Sequence, residues 1–353
     1  MSDPTTEPLQ PVTERHRFDE AALGAHLAAH LPDFAGPLDV RQFQGGQSNP
    51  TYLLRTPGRS YVMRSKPGPV ERLLPSAHAI EREFRVMQAL GRQGIPVPRM
   101  DLLVEDESVI GRAFYVMEHV EGRIFWDPAL PELDRESRAA IYDEMNRVLA
   151  TLHAVDPHAA GLTDYGKAGN YFSRQIGRWS RQYKASETEA IEAMDQLIEW
   201  LPGHVPDGDE TAVVHGDYRL DNLIFHPAEP RVVAILDWEL STLGHPLADL
   251  SYQCMAWHIP PGVFRGIGGL DLESLGIPTE SDYVARYCAR TGRQGIAHWN
   301  FYLAYNLFRI AAILQGVYRR ATEGMASSDN ALQTGRNVRA LAELGWSYAR
   351  KAG

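Results

Sequence analysis

The sequence predicts an α+β chain in two lobes, a small β-rich N-lobe followed by a larger helical C-lobe. Three observations predict it. Between residues 38 and 64, short apolar runs are broken by Gly and Pro turns, the pattern of a strand meander. From residue 134 onward, apolar residues recur at helical spacing through most of the chain. At 353 residues the chain exceeds the roughly 250–300 at which a single core stops growing, so two bodies are expected.

Residues 1–17 hold Pro, Thr and Glu with little apolar content and read as a flexible tail. The N-lobe is expected over 18–118. Phe18, Ala22, Leu23, Leu27 and Leu31 fall at helical spacing, and Pro32 ends that helix. Leu38 to Phe43 alternates, Gly45-Gly46-Gln47-Ser48-Asn49 breaks it, and Thr51 to Arg55 resumes. Pro57-Gly58 marks a turn before Ser60 to Arg64. Ala77 to Leu90 is a helix with Ile80, Phe84, Met87 and Leu90 on one face, and strands return at Met100 to Val104 and Ala113 to Met117.

The C-lobe is expected over 119–353. Asp134 to His153 is an amphipathic helix that buries Ile141, Met145, Val148, Leu149 and Leu152. Tyr171 to Tyr183 and Glu187 to Leu201 add two more. A β-rich insert occupies 211–239. The chain is helical again from Pro246, apart from the Gly- and Pro-rich loop Ile259 to Leu270, and Thr279-Glu-Ser-Asp282 offers a helix cap.

The insert concentrates the chemistry. Asn222 to Phe225 and Val232 to Asp237 are apolar strands around the turn His226 to Arg231. A symmetric register about Glu229-Pro230 puts Asn222 opposite Asp237, beside the loop carrying Asp217. Three hard oxygen donors then converge, and such donors suit Mg²⁺, which binds one or two carboxylates together with substrate phosphates.

The run His215-Gly216-Asp217, then Asn222, then Asp237-Trp238-Glu239 resembles the catalytic core of the aminoglycoside phosphotransferase-like family, which has a protein-kinase-like fold. Protein kinases carry H-R-D, an Asn five residues after that Asp, and D-F-G. The resemblance implies that Asp217 is the base or orienting carboxylate for the accepting hydroxyl. It implies that Asn222 and Asp237 hold Mg²⁺ on the phosphates of ATP, and that His215 braces the loop. It also places Gly45, Gly46, Gln47, Ser48 and Asn49 in the nucleotide-covering loop, where glycine backbone can approach phosphate. Arg64 stands where the family has a lysine, and Lys66 lies two residues on, on the same face of an extended strand. Either can neutralise the phosphates. Arg64 is favoured by alignment and because arginine grips phosphate bidentately. The ion-pair glutamate is expected at Glu83, with Glu81 a solvated helix carboxylate. The backbone from Glu118 to Val120 is expected to meet the adenine edge. No long activation loop fits between Glu239 and Asp249, the family's structural Asp, which favours a small-molecule acceptor.

Gln47 to Thr51, Tyr61 to Pro67, Asn170-Tyr171-Phe172 and Arg178-Trp179 resemble the subgroup of kinase domains fused to acyl-CoA dehydrogenases. That resemblance implies phosphorylation of a hydroxyacyl-CoA. Tyr171, Arg174, Arg178, Trp179, Trp257 and Arg265 are acceptor-pocket candidates by type. Two alternatives remain open, an aminoglycoside kinase and a nucleotide-binding regulatory pseudokinase. The basic run Arg174, Arg178, Arg181 and Lys184 suits an anionic acceptor better than a polycationic drug, unless it is simply a solvated helix face.

Composition sets outer bounds. With 35 Lys+Arg against 45 Asp+Glu, the net charge of -10 argues against a general nucleic-acid binder. Cys254 and Cys288 are too few for a disulfide framework or a four-thiolate metal site. The start lacks a basic segment followed by an apolar one, and no apolar run reaches the roughly 18 residues of a membrane span, so a cytoplasmic location is expected.

Overall fold

The computed structural model describes residues 8–44, 49–67, 79–323 and 335–353. The chain divides into two compact units that are discontinuous in sequence. The first takes Met1–Ile124, Ala160–Tyr165 and Asp221–Ser241; the second takes Phe125–Ala159, Gly166–Leu220 and Thr242–Gly353.

In the first unit the meander forms an antiparallel sheet of six strands among the described residues. They are β1 (Leu9–Gln10), β2 (Asp39–Phe43), β3 (Thr51–Arg55), β4 (Ser60–Ser65), β5 (Met100–Val104) and β6 (Phe114–Glu118), in the order β1-β2-β3-β4-β6-β5. Helix α1 (Glu20–His30) starts at Asp19, whose carboxylate accepts the N–H groups of Ala21 and Ala22, both at 2.9 Å. It lays Leu23 and Leu27 on a core with Tyr52, Leu54, Tyr61 and Phe114.

Two expectations change here. Residues 9–16 are not a tail, since Leu9 and Gln10 pair with Phe43 and Gln42 as the sheet's edge strand. The Gln42 side chain accepts the Thr13 N–H at 3.1 Å, and Tyr52 donates to the His16 carbonyl at 3.3 Å. A largely polar segment is thus ordered by hydrogen bonds to a ready edge, with Val12 packed against the core. Helix α2 (Ile80–Arg92) buries Ile80, Glu83, Val86, Met87 and Leu90, while Phe84 stays partly open. Its inner face therefore includes a carboxylate.

The second unit is helical. Asp134 caps α3 (Arg135–His153) through a 2.7 Å bond from the Ser137 N–H. Then come α4 (Tyr171–Ser186), α5 (Glu192–Trp200), α6 (Leu247–Cys254), the short α7 (Leu272–Leu275) and α8 (Glu280–Thr291). Thr279 caps α8, accepting the Asp282 N–H at 3.1 Å. Helix α9 (Trp299–Thr322) is buried from Phe301 to Ala312 and packs against α4, α6 and the C-terminal helix (Asn337–Ala352). A two-stranded ribbon joins β7 (Ala212–Val214) to β10 (Thr242–Gly244). A side chain at Gly244 would lie 2.6 Å from the Tyr171 ring, so only glycine lets the ribbon approach α4 this closely.

The hairpin of β8 (Leu223–Phe225) and β9 (Val232–Ile235) belongs to the first unit. Its register differs from the symmetric expectation. Leu223 faces Ile235, and the Leu236 N–H donates to the Asn222 carbonyl at 2.8 Å, so Asn222 lies opposite Leu236 rather than Asp237. The reason is local. The turn closes at His226 and Arg231, with the His226 N–H donating to the Arg231 carbonyl at 2.7 Å, and the register shifts once more between Ile224 and Phe225.

Candidate active site

In the first unit β4 and β6 pair Arg64 directly with Tyr115, so both side chains leave the sheet on one face. Helix α2 brings Glu83 to that face, where it is 2 % exposed. Arg64 Nε lies 3.3 Å from Glu83 Oε2. Tyr115 donates its hydroxyl to the same oxygen at 3.2 Å, and Asn49 donates its amide to Oε1 at 3.1 Å. Arg64 Nη2 donates to Asp237 Oδ1 at 3.1 Å and to Glu239 Oε2 at 3.5 Å. Burial opposes charge on Arg64, but Glu83 and Asp237 outweigh it and hold the guanidinium well above its ordinary value. Burial pushes the Glu83 carboxyl up, an effect that Arg64 offsets in part. Burial and then the charge of Glu83 push the Tyr115 phenol well above its ordinary range, so it remains a donor.

Lys66 pairs with Glu81, and both are partly exposed. The two basic candidates thus take different acids, Arg64 the buried Glu83 and Lys66 the partly exposed Glu81. Asn49, the end of the expected nucleotide loop, turns its amide inward to Glu83. Gly45, Gly46, Gln47 and Ser48 lie outside the described residues.

Three further contacts hold α2 and the Asp237 turn together. Arg82 donates to the Tyr165 carbonyl at 2.7 Å and lies 4.3 Å from the centre of its ring. Arg85 donates to Asp164 at 3.0 Å. The Tyr165 hydroxyl hydrogen-bonds Ser241, which donates to the Trp238 carbonyl at 2.6 Å. Asp237 itself sits at φ 64°, a left-handed conformation that aspartate tolerates better than most side chains. It ends β9 abruptly and aims the carboxylate at Arg64.

At the end of β6 the Glu118 N–H donates to the Arg99 carbonyl at 2.9 Å, and its carboxylate accepts the Arg99 N–H at 3.0 Å. That N–H is therefore engaged within the protein. Val120 is half-buried beyond it. A side chain at Gly122 would fall 2.3 Å from the Phe225 carbonyl, and Arg123 then bridges Phe225 as a one-residue third strand.

In the second unit Asp217 follows β7. Its Oδ1 accepts the Tyr252 hydroxyl at 2.5 Å, and its Oδ2 lies 3.3 Å from Arg219 Nε. Asp249, 1 % exposed, anchors the loop by accepting the N–H groups of His215 at 2.6 Å and Gly216 at 2.8 Å. His153 adds a contact to Asp249 at 3.3 Å. Burial works against the Asp249 charge, but these donors outweigh it and hold the carboxyl below its ordinary value. The Asp217 N–H donates to His215 Nδ1 at 3.1 Å, which defines the bracing contact of that histidine. Gly216 has φ +85°, the physical reason for glycine between His215 and Asp217. Arg309 of α9, nearly buried, donates to the Gly216 carbonyl. Sequence reasoning missed Tyr252 and Arg309. The signal for Tyr252 was available, since it lies three residues after Asp249 on one helix face.

The acceptor candidates separate. Trp257 is a core residue whose indole donates to the Pro278 carbonyl at 2.8 Å. Tyr171 is buried against Phe172, with ring centres 5.4 Å apart. Arg174 turns back to the Lys167 carbonyl. Arg265 lies 5.7 Å over Trp126, an exposed tryptophan, and donates to its carbonyl at 3.2 Å. Arg178 and Trp179 remain as a stacked pair, 5.1 Å apart.

Asn222 and Asp237 contribute one amide oxygen and one carboxylate, a hard donor set that fits Mg²⁺ completed by phosphate oxygens. Among the described residues no cluster of three His, Cys, Asp or Glu forms a protein-only metal cage. No described helix is long and apolar enough to cross a membrane.

A family model for the phosphotransferase enzyme family matches residues 39–297. Acyl-CoA dehydrogenase family member 10 from Mus musculus is 48 % identical, over 99 % of this chain and 33 % of that protein. The chain spans less than half the length of the curated relatives it matches. The crystal structure of a candidate aminoglycoside phosphotransferase from Ralstonia eutropha is 60 % identical, with a TM-score of 0.86 over 95 % of this chain and 99 % of that one. An aminoglycoside phosphotransferase, APH(4)-Ia, in complex with ADP and hygromycin B is 14 % identical with a TM-score of 0.59, over 93 % of this chain and 98 % of that one. That last likeness shows a shared fold.

Proposed function

The chain belongs to the phosphotransferase enzyme family, and from that premise we propose that it moves the γ-phosphoryl group of ATP to a hydroxyl of a hydroxyacyl-CoA. One observation carries the catalytic reading. One largely buried guanidinium, that of Arg64, is gripped by Glu83 of α2 and by Asp237 after β9, residues far apart in sequence. A cation so held is oriented for phosphate oxygens before any nucleotide arrives. The acyl-CoA acceptor draws support from the likeness to an acyl-CoA dehydrogenase family member over nearly the whole chain.

The chemistry follows from the residues. The acceptor oxygen forms its bond to the γ-phosphorus as the bond to the β–γ bridging oxygen breaks, and ADP leaves. Asp217 accepts or orients the hydroxyl proton, and Tyr252 and Arg219 fix the direction of its two oxygens. Arg64 neutralises phosphate charge, with Lys66 outside it. Asn222 and Asp237 would hold Mg²⁺, which when bound supplies further charge neutralisation on the phosphates. Such a site works by positioning and electrostatics rather than by covalent chemistry.

An aminoglycoside acceptor is the second reading, favoured by the 60 % identical crystal structure. Arg178 and Arg309 in the catalytic-loop unit oppose a polycation. The deciding experiment incubates the protein with Mg-ATP and a panel of hydroxyacyl-CoAs, aminoglycosides and simple alcohols. Mass spectrometry should find a phosphate on a CoA ester, lost in Asp217→Asn. Transfer to an aminoglycoside and to no CoA ester would overturn the substrate. Nucleotide binding with no acceptor ever modified would favour a regulatory module instead.

A further inference from the structure

In the second unit two guanidiniums, those of Arg178 and Arg309, lie over one indole, that of Trp179. Burial opposes the Arg309 charge, but Tyr305, Tyr171, Tyr252 and Asp217 outweigh it and hold the group above its ordinary value. Arg309 is 5 % exposed, yet among the described residues it has no carboxylate in ion-pair reach. Its guanidinium lies 5.6 Å from the centre of the Trp179 ring and 5.1 Å from that of Tyr252. Those π-faces stabilise the cation in part. Of its five N–H groups, one donates to the Gly216 carbonyl. Arg178 lies over the same indole at 5.1 Å, and among the described residues it has neither a hydrogen bond nor an ion pair. Much of its side chain is open to solvent, but packing of the guanidinium end, and after it the charge of Arg309, pull it below its ordinary value. The Trp179 indole N–H is buried and makes no hydrogen bond, although Trp179 is only 6 % exposed.

Two other basic residues of α4 are engaged. Arg174 donates to the Lys167 carbonyl, and Lys184 pairs with Glu187 at 3.3 Å and with Asp195 at 2.5 Å. Two guanidiniums facing one indole repel each other, and a buried donor left unpaired is costly. Both terms reverse when an anionic oxygen group enters, because arginine forks bind carboxylate or phosphate through paired N–H bonds.

The position gives the anion a role. Arg309 holds the carbonyl of Gly216, the residue before Asp217, and packs on Tyr252, whose hydroxyl holds the Asp217 carboxylate. We propose that Arg178, Arg309 and the Trp179 indole N–H form an anion-recognition subsite for a carboxylate or phosphate group carried by the acceptor. Its assignment to the acceptor rests on the role proposed for Asp217, whereas anion binding itself does not. An acceptor read this way bears negative charge close to its reacting hydroxyl. A neutral or cationic alcohol leaves the two arginines unmatched.

The test measures thermal midpoints of the full chain with Mg-ADP present. Inorganic phosphate and acetate are titrated separately against chloride at matched ionic strength. Either anion should raise the wild-type midpoint beyond chloride, and the stronger of the two identifies the group. Arg178→Gln should need at least tenfold more anion for the same rise. Trp179→Phe, which keeps a ring and removes the N–H, should weaken the response as well, and it keeps the test open if the first variant folds poorly. No rise above chloride in the wild type, or equal dose curves in wild type and both variants, overturns the subsite. Anion binding without phosphoryl transfer to any acceptor faults the catalytic reading alone. Transfer without Arg178-dependent anion binding faults the subsite alone.

Discussion

The hydroxyl of Tyr252 donates a 2.5 Å hydrogen bond to Oδ1 of Asp217. Tyr252 is itself nearly buried, and burial followed by the charge of Asp217 pushes its phenol far above the range in which it could ionise, so it stays a donor. The Asp217 carboxylate, for which we propose the catalytic role, is therefore aimed by a rigid neighbour on α6, the helix that also carries the loop's anchor, Asp249.

Tyr252→Phe removes that aim and little else. A hydrogen bond to a charged group is worth about 1.5–3 kcal/mol. The expected result is a kcat lower by about tenfold to a hundredfold, with acceptor KM little changed, since the phenyl ring keeps its packing. Steady-state kinetics with the acceptor from the panel check it. A rise in KM at constant kcat would assign Tyr252 to acceptor binding instead.

Arg64 and Lys66 should separate in nucleotide kinetics. Arg64→Ala removes the cation that faces Glu83 and Asp237, and leaves Glu83 buried without its ion-pair partner. Breaking such a pair destabilises by about 3 kcal/mol. We expect transfer to fall by about a hundredfold or more, as in the loss of other preorganised charge. Lys66→Ala breaks a partly exposed pair with Glu81, worth about 0–1 kcal/mol, and should change the KM for ATP only modestly. Arg64→Lys keeps the charge without the fork, so it should fold well and transfer poorly. Equal losses in the two alanine variants would make the clamp shared.

Asp249 should shape the acid limb of stability. Its folded carboxyl lies below the ordinary value of 3.8, because the His153, His215 and Gly216 donors outweigh the effect of burial. A depressed carboxyl contributes stability that is full above its unfolded value and is lost as pH falls through the folded one. Wild-type midpoints recorded from pH 6 down to pH 2 should therefore drop steeply below about pH 4. Asp249→Asn should start lower at pH 6 and show a flatter acid limb. Parallel curves would place the acid-labile group elsewhere.

Much of the fold was legible in the sequence because periodicity is a local signal. The meander, α1, α3 and the hairpin strands all stand close to where spacing and turn residues put them. The misses have physical causes. Residues 9–16 looked like a tail because they bury little, but an open strand edge orders polar backbone through hydrogen bonds. The hairpin register moved because a turn of irregular length and a bulge break the symmetry that the expectation assumed. At the candidate site, the family resemblance points to Glu83 and favours Arg64 over Lys66, and Arg64 and Glu83 stand 3.3 Å apart. Asn49 reads as a loop residue in the sequence, and its inward amide on Glu83 depends on a contact 34 residues away.

The sequence by itself determined the elements, the family and the acidic and amide residues on which the chemistry is proposed, because these follow from spacing within short stretches. Tertiary structure decided which basic residue meets which acid, that Tyr252 and Arg309 brace the loop of Asp217, and that Arg309 stands over Trp179. Those relationships join residues tens to hundreds of positions apart. Local periodicity carries no information about such distances, and the folded chain alone sets them.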